Sequence, residues 1–193
     1  IHLLNGVLVY CVIRMLLALV AAARGHVPDA QARARAGWIA VAIAACWLVL
    51  PINLTAVLYA VQRLESFSNT FVLAGLLWYL HARLRYEQTG RGIGALAAAL
   101  VIGTGVGVLA KESAVLLPLY TACVEFFAVG LRDANGRWRK PVLGLYAVLL
   151  AVPLVVGLIW LASWIYSPTT YARSYSTVER LLTEARVLVD YIR

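Results

Sequence analysis

The chain alternates between long apolar stretches and short segments rich in arginine. A helix that crosses a membrane needs about 20 mainly apolar residues, and stretches near that length recur along the sequence. They predict an all-α integral membrane protein with about six transmembrane helices. The second and third stretches are short, which favours tilted or partly re-entrant helices. The predicted spans are 1–23, 38–50, 67–80, 93–110, 114–131 and 142–165.

Basic residues concentrate in alternate connections between these spans. Alternate connections lie on the same side of a membrane, and the positively charged side is usually cytoplasmic. We therefore expect the basic loops to face the cytoplasm and the other loops to face the opposite, outer side. The predicted cytoplasmic segments are 24–37, 83–92 and 132–140, and the predicted outer ones are 51–66, Lys111-Glu112 and 167–193.

The end of the chain has a different pattern from the spans. Ser176 and Glu179 match a capping box, which marks the start of a helix. Apolar residues then recur at helical spacing, and charged residues fill most other positions. This pattern predicts an amphipathic helix lying along the outer membrane interface. We thus expect a transmembrane bundle over 1–166, truncated at its start, and an interfacial segment on the outer side over 167–193.

Composition agrees with this class. The chain is 63% hydrophobic with a net charge of +8, and its mean hydropathy is +0.83. In a soluble chain such a charge would suggest a nucleic-acid partner, but here the basic loops account for it. Cys11, Cys46 and Cys123 all lie in apolar segments and show no metal-binding spacing. We interpret them as ordinary small hydrophobes in lipid-facing helices, so the sequence predicts no nucleic-acid partner and no metal site.

The pair Lys111-Glu112 lies between two apolar stretches. Charges at the hydrocarbon edge are rare unless they line a polar cavity or serve chemistry. Neighbouring residues on a helix point about 100° apart, so we expect each charge to meet a partner from another segment. Lys111 is either a counter-charge for a lipid-linked phosphate, oriented by Glu112, or part of a short hairpin whose charges face water.

Two further segments supply polar candidates on the predicted outer side. Gln62, Glu65 and Ser66 share one face of a helix, and Arg63 points away from that face. Arg63 can grip a phosphate with its planar fork, or it can anchor the chain by snorkelling to lipid headgroups. Arg173 precedes the terminal helix and either lines a substrate cavity or lies in a solvated loop.

Two features within the spans are interpreted as packing devices. Gly103, Gly105 and Gly107 do not follow a strand, so they are not a dinucleotide-binding loop, and they favour close approach of helices. Glu125 lies well inside the fifth predicted span, toward the cytoplasmic side. We expect it to make a hydrogen bond between helices rather than to mark an ion pathway.

Four stretches, taken in order, resemble the membrane part of C-type glycosyltransferases of the kind followed by tetratricopeptide repeats. This resemblance implies a C-type glycosyltransferase-like fold. It also implies an enzyme of the bacterial inner membrane that moves a sugar from a polyprenyl-phosphate donor to a protein or glycan acceptor in the periplasm. The outer side, with Lys111-Glu112 and the segment 167–193, would then be periplasmic. The stretches are HLLNG at 2–6, PINLTAVLYAVQR at 51–63, LAKESAVLLP at 109–118 and ERLLTEARVL at 179–188.

The resemblance also assigns roles to individual residues. Arg63 and Lys111 would bind the donor phosphate, because a leaving phosphate needs positive charge beside it as the glycosidic bond breaks. Gln62, Glu112 and Arg173 would support them. The lipid-linked sugar is then the donor substrate within a lipid membrane, no cofactor is specified, and the need for a divalent metal stays open.

The chain departs from the family pattern in two respects. The family's catalytic acidic residue would precede Ile1, and its repeats would follow Arg193, so we interpret the chain as a fragment that is inactive alone. Leu50 stands before Pro51, where the family often has a histidine.

Two other functions fit the same residues. A polymerase or ligase of lipid-linked oligosaccharides would use the same outer cations on a different acceptor. A non-catalytic scaffold or anchoring subunit would use Arg63 and Lys111 only to bind lipid headgroups. An outer loop with one or two carboxylates before Ile1 would favour the transferase, and its absence would favour the scaffold.

Overall fold

The computed structural model describes residues 1–59, 63–131, 138–165 and 177–192. Within these residues all the secondary-structure elements are helices or helical turns, so the predicted all-α class is confirmed. Short 3₁₀ turns lie at Pro51–Asn53 and Glu112–Leu116, and a π-helical turn lies at Val124–Val129. The α-helices are α1 (His2–Ala23), α2 (Ala30–Val49), α3 (Leu54–Leu58), α4 (Arg63–Thr89), α5 (Ile93–Ala110), α6 (Leu117–Cys123), α7 (Lys140–Ile165) and α8 (Thr177–Ile192).

Five helical segments are long and apolar enough to cross a membrane. Only 11% to 22% of the residues in their most apolar windows are buried inside the protein. Apolar surface left outside a helical bundle is favourable in lipid and costly in water, so these segments are typical of a membrane protein. The five segments are His2–Ala23, Ala30–Val49, Ile93–Ala110, Glu112–Val129 and Lys140–Ser163.

The remaining predicted span, 67–80, lies within α4 and is not among the five. Its helix extends in both directions into charged sequence, which lowers the hydropathy of the whole element. Nevertheless α4 packs against both α1 and α5 and buries Tyr79 and Leu80 completely. Several of its polar side chains, among them Glu65, Tyr79 and Arg83, find partners in other segments, which is how polar residues are tolerated beside lipid.

The chain forms two compact units, residues 1–150 and 151–193. The first contains α1 to α6 and the beginning of α7, and it holds the hydrophobic core. The second contains the rest of α7 and α8. The predicted terminal helix is confirmed from Thr177, while its capping residue Ser176 lies outside the described residues. Its position along the membrane interface stays a prediction.

Two predicted loops are partly helical. The Asp29 carboxylate accepts a hydrogen bond of 2.6 Å from the Ala32 amide and so caps α2, which begins at Ala30. Arg33 and Arg35 therefore lie on the first turns of a helix rather than in a loop. Likewise α4 continues to Thr89 and includes Arg83, because arginine is a good helix former and neither glycine nor proline occurs between Gly75 and Gly90.

Glycines let α5 approach its neighbours closely. A Cβ added to Gly103 would lie 3.2 Å from the Cα of Gly75 on α4, and one added to Gly107 would lie 2.6 Å from the Cβ of Ala114. No atom lies within 4 Å of the corresponding position at Gly105. The predicted close packing is thus confirmed for Gly103 and Gly107 and is wrong for Gly105.

A buried ion network joins α4 to the two segments that follow α6. Arg83 donates from Nε to Glu125 Oε1 at 2.8 Å, and the Tyr79 hydroxyl donates to the same oxygen at 2.7 Å. Arg83 also pairs with Glu87 at 2.6 Å, and Glu87 pairs with Arg139 at 2.6 Å. The Arg83 and Glu125 side chains are 0% and 1% exposed. We call Arg83, Glu87, Glu125 and Arg139 the buried ion network.

The network corrects the sequence interpretation of two arginines. Arg83 and Arg139 were both expected in solvated basic loops, yet both are buried. The expected hydrogen bond between helices at Glu125 is confirmed by Tyr79, and the ion pair with Arg83 adds to it. Arg139 also donates to the Gly130 carbonyl at 2.8 Å, which joins the start of α7 to the end of the π-helical turn. Local hydropathy cannot reveal such pairing because the partners are distant in sequence.

We expect Glu125→Met to lower the free energy of unfolding by about 3 to 5 kcal/mol, because it leaves part of the Arg83 charge buried and uncompensated. The double variant Arg83→Met/Glu125→Met should recover much of that loss, since it removes both charges together. Thermal unfolding in detergent micelles measures both effects. A double variant less stable than Glu125→Met would contradict this account.

We expect Gly107→Ala to destabilise the protein by about 1 to 3 kcal/mol, because the new methyl group collides with Ala114. Gly105→Ala is the matched control on the same helix, and its effect should be neutral or stabilising because alanine favours helix. The difference between their unfolding midpoints isolates the contact. Equal midpoints would show that the turn after α5 shifts to accommodate the methyl group without loss of stability.

Candidate functional site

One end of the first unit gathers three of the stretches on which the resemblance rests. His2 Nε2 hydrogen-bonds to the Leu48 carbonyl at 3.0 Å, and its ring stacks on Trp47 with centroids 5.1 Å apart. The buried Asn5 donates to the Ser66 carbonyl at 2.8 Å. The start of α1 is thereby tied to the end of α2 and to the start of α4. We call this the Lys111 end, because Lys111 pairs there with Glu65 in the first turn of α4.

The HLLNG stretch therefore has a structural explanation at each polar or small position. Asn5 Oδ1 also accepts a hydrogen bond of 2.7 Å from the Thr70 hydroxyl. A Cβ added to Gly6 would lie 2.6 Å from a methyl carbon of Leu48, so glycine permits the close approach of α1 and α2. Asn53 donates to the Trp47 carbonyl at 2.6 Å, which shapes the turn after α2. These contacts join α1 and α2 to the start of α4, the helix that carries Arg63 and Glu65.

Lys111 lies where α5 ends and the backbone becomes extended, with a φ of −163°. Its ammonium pairs with Oε1 of Glu65 on α4, and the Ser113 hydroxyl donates to Glu65 Oε2 at 3.3 Å. The two charged side chains are 33% and 34% exposed. The expected partner from another segment is thus confirmed for Lys111, and it is a residue that the sequence interpretation did not assign to it.

The other candidate residues have different surroundings. Arg63, the first residue of α4, is exposed and makes no hydrogen bond or ion pair with the described residues. Glu112 is also exposed, and it forms no ion pair within the described part of the chain. Gln62 and Arg173 lie outside the described residues. Lys111 and Arg63 are therefore the two predicted phosphate ligands whose positions are known, and Glu65 was missed although it shares the predicted face with Ser66.

The basic segments gather at the opposite end of the same unit. Glu87, near the end of α4, pairs with Arg139 and lines one cavity together with Arg24. Since α4 begins at the Lys111 end and terminates here, Arg24, Arg83 and Arg139, one described residue from each predicted basic loop, lie at the opposite end from Lys111. We call this the basic end. The assignment of the basic end to the cytoplasm stays a prediction.

No metal centre is evident among the side chains that the structure describes. In that part of the chain no group of three or more His, Cys, Asp or Glu residues is close enough to hold an ion. The described charged groups of the Lys111 end are two cations, Arg63 and Lys111, and two carboxylates, Glu65 and Glu112. The guanidinium and ammonium groups are of the kind that binds an anion.

Comparisons with protein-family models, with curated proteins and with solved structures find no match to this chain. The glycosyltransferase resemblance therefore rests on the residues quoted above.

Burial predicts different stability effects for two polar residues of this site. Asn5→Ala should cost about 1 to 3 kcal/mol, because it removes a buried side chain that bonds to both the Ser66 carbonyl and the Thr70 hydroxyl. Lys111→Ala should cost about 1 kcal/mol or less, since its ion pair is partly exposed. Unfolding midpoints in detergent compare the two. If Lys111→Ala were the more damaging change, its ion pair would be a main structural support.

Proposed function

We propose that this chain is the membrane part of a glycosyltransferase that uses a polyprenyl-phosphate-linked sugar as donor. The observation that supports this most is the contact of Lys111 with Glu65, two positions along α4 from the exposed Arg63. Two cations with accessible side chains thus occur at the same end of the unit. The phosphate of a lipid-linked sugar lies at the membrane surface, and the proposal puts the Lys111 end there because the phosphate charge requires such cations.

The chemistry that these residues offer is stabilisation of a leaving group. When the bond between the sugar and the phosphate breaks, negative charge grows on the phosphate oxygen, and fixed cations lower the barrier to that step. Arg63 offers a planar pair of donors, and Lys111 offers a compact charge. The sugar carbon forms its new bond to the acceptor. The acceptor's proton goes to a carboxylate, which the resemblance puts before Ile1.

Glu65 has a particular part in this proposal. It holds the Lys111 ammonium at the end of α5, and Ser113 holds the second carboxylate oxygen. A donor phosphate would compete with Glu65 for the lysine. Glu65 is therefore a positioning residue, and it takes the supporting role expected of Glu112.

A non-catalytic scaffold is the second candidate, and the same ion pair favours it. Lys111 is already neutralised by Glu65. In a scaffold the pair has a purely structural role, which is to hold the turn after α5 against α4. In that case Arg63 anchors the protein at lipid headgroups by snorkelling.

Binding of polyprenyl phosphate to the full-length protein in detergent tests the proposal. Lys111→Ala and Arg63→Ala should each weaken binding by about tenfold or more, because each removes a charge-assisted hydrogen bond. They should also abolish sugar transfer while leaving membrane insertion intact. Lys140→Ala is the matched control, since Lys140 is exposed and lies at the start of α7. Unchanged binding in Lys111→Ala would favour the scaffold.

The variant Glu65→Gln separates the two candidates further. It removes the carboxylate that competes for Lys111, so the transferase proposal expects polyprenyl phosphate to bind more tightly than in the wild type. If the ion pair is only a clamp, the substitution should leave binding unchanged, because Lys111 then takes no part in it.

A further inference from the structure

A cavity of about 790 Å³ opens at the basic end of the first unit. Its walls are the second half of α1, the turn that follows it, the first turns of α2 and the last turns of α4. The charged or titratable residues in its lining are Arg14, Arg24, His26, Arg33 and Glu87.

The cavity carries uncompensated positive charge. Arg24 and Arg33 are exposed, and neither forms an ion pair with a described carboxylate. The Glu87 carboxylate in the lining is already bound on both oxygens, by Arg83 and by Arg139. It therefore cannot neutralise the arginines that face the cavity.

An apolar groove of about 780 Å³ adjoins this cavity. It runs between α1 and α4, and it shares Arg14, Ala18 and Leu84 with the cavity. Along α1 the groove is lined from Leu8 to Ala18 and the cavity from Arg14 to Arg24, so the groove lies deeper in the bundle and the cavity nearer its basic end. This order, charge at the end and apolar walls further in, is that of a membrane lipid in its leaflet.

We propose that these adjoining spaces bind one anionic phospholipid from the leaflet at the basic end. Arg24 and Arg33 hold the headgroup phosphate, and an acyl chain follows the groove between α1 and α4. Basic pockets between transmembrane helices are suited to anionic headgroups, and the guanidinium fork matches phosphate oxygens. Arg14 lies where the two spaces meet, and it donates to the Tyr10 hydroxyl at 3.0 Å. The site is independent of the proposed transfer reaction at the other end.

Native mass spectrometry of the full-length protein in detergent tests the headgroup contacts. Phosphatidylglycerol and phosphatidylcholine with identical acyl chains are compared as ligands. The wild type should prefer phosphatidylglycerol, and Arg24→Gln/Arg33→Gln should reduce that preference by about tenfold or more, because each cation near an anionic lipid adds to binding. The control Arg35→Gln/Arg85→Gln removes two exposed arginines outside the cavity lining and should keep the preference. An equal loss in both variants would mean diffuse surface charge and would overturn the proposal.

The chain contact is tested without any change of charge. Ala18→Trp fills the wall shared by cavity and groove, and Ala74→Trp fills the groove from the exposed side of α4. At least one of these variants, measured in a sample whose unfolding midpoint equals that of the wild type, should bind phosphatidylglycerol more weakly. Inorganic phosphate should not displace the lipid from the wild-type protein. Unimpaired lipid binding in both tryptophan variants, or displacement by inorganic phosphate, would mean that only a phosphate is recognised and would refute the lipid site.

Discussion

A carboxylate buried in a bundle with an apolar exterior has to be paired, and α4 supplies the partners of Glu125. Burial of a lone charge costs several kcal/mol, whereas Glu125 receives hydrogen bonds from both Arg83 and Tyr79. These bonds determine which face of α4 meets the π-helical turn. Glu65 and Arg83 are 18 residues apart, which is five full turns of a helix. They therefore lie on one face of α4, and that face binds the segment after α5 at both of its ends.

The two ends of this face differ in how far their charged side chains are exposed. At the basic end the Arg83 side chain is fully buried, and a ligand would have to break the network to reach it. At the Lys111 end the paired side chains are about one third exposed, and Arg63 projects from the first turn of α4. The buried ion network therefore supports the fold, whereas the charges at the Lys111 end and in the open cavity beside Arg24 are accessible, which is why both binding proposals use them.

The success of the sequence interpretation varied with the kind of boundary. The bounds of α5 were predicted correctly, because glycine precedes its apolar run and a lysine follows it. The start of α2 and the end of α4 were predicted wrongly, since Arg33 and Arg83 were counted as loop residues. Arginine marks a loop when it is solvated, but it is also a good helix former, and it can be buried when a carboxylate is near.

The sequence by itself determined the class of the protein, the apolar helices and the residues that need a partner, since hydropathy and helical spacing are properties of neighbouring positions. It singled out Lys111 and Glu125 because charge is costly where they lie. Only the tertiary structure decided that Glu65 pairs with Lys111 and that Arg83 pairs with Glu125. These partners are more than 40 residues apart in the chain, and their meeting depends on which helices pack together and how each is rotated.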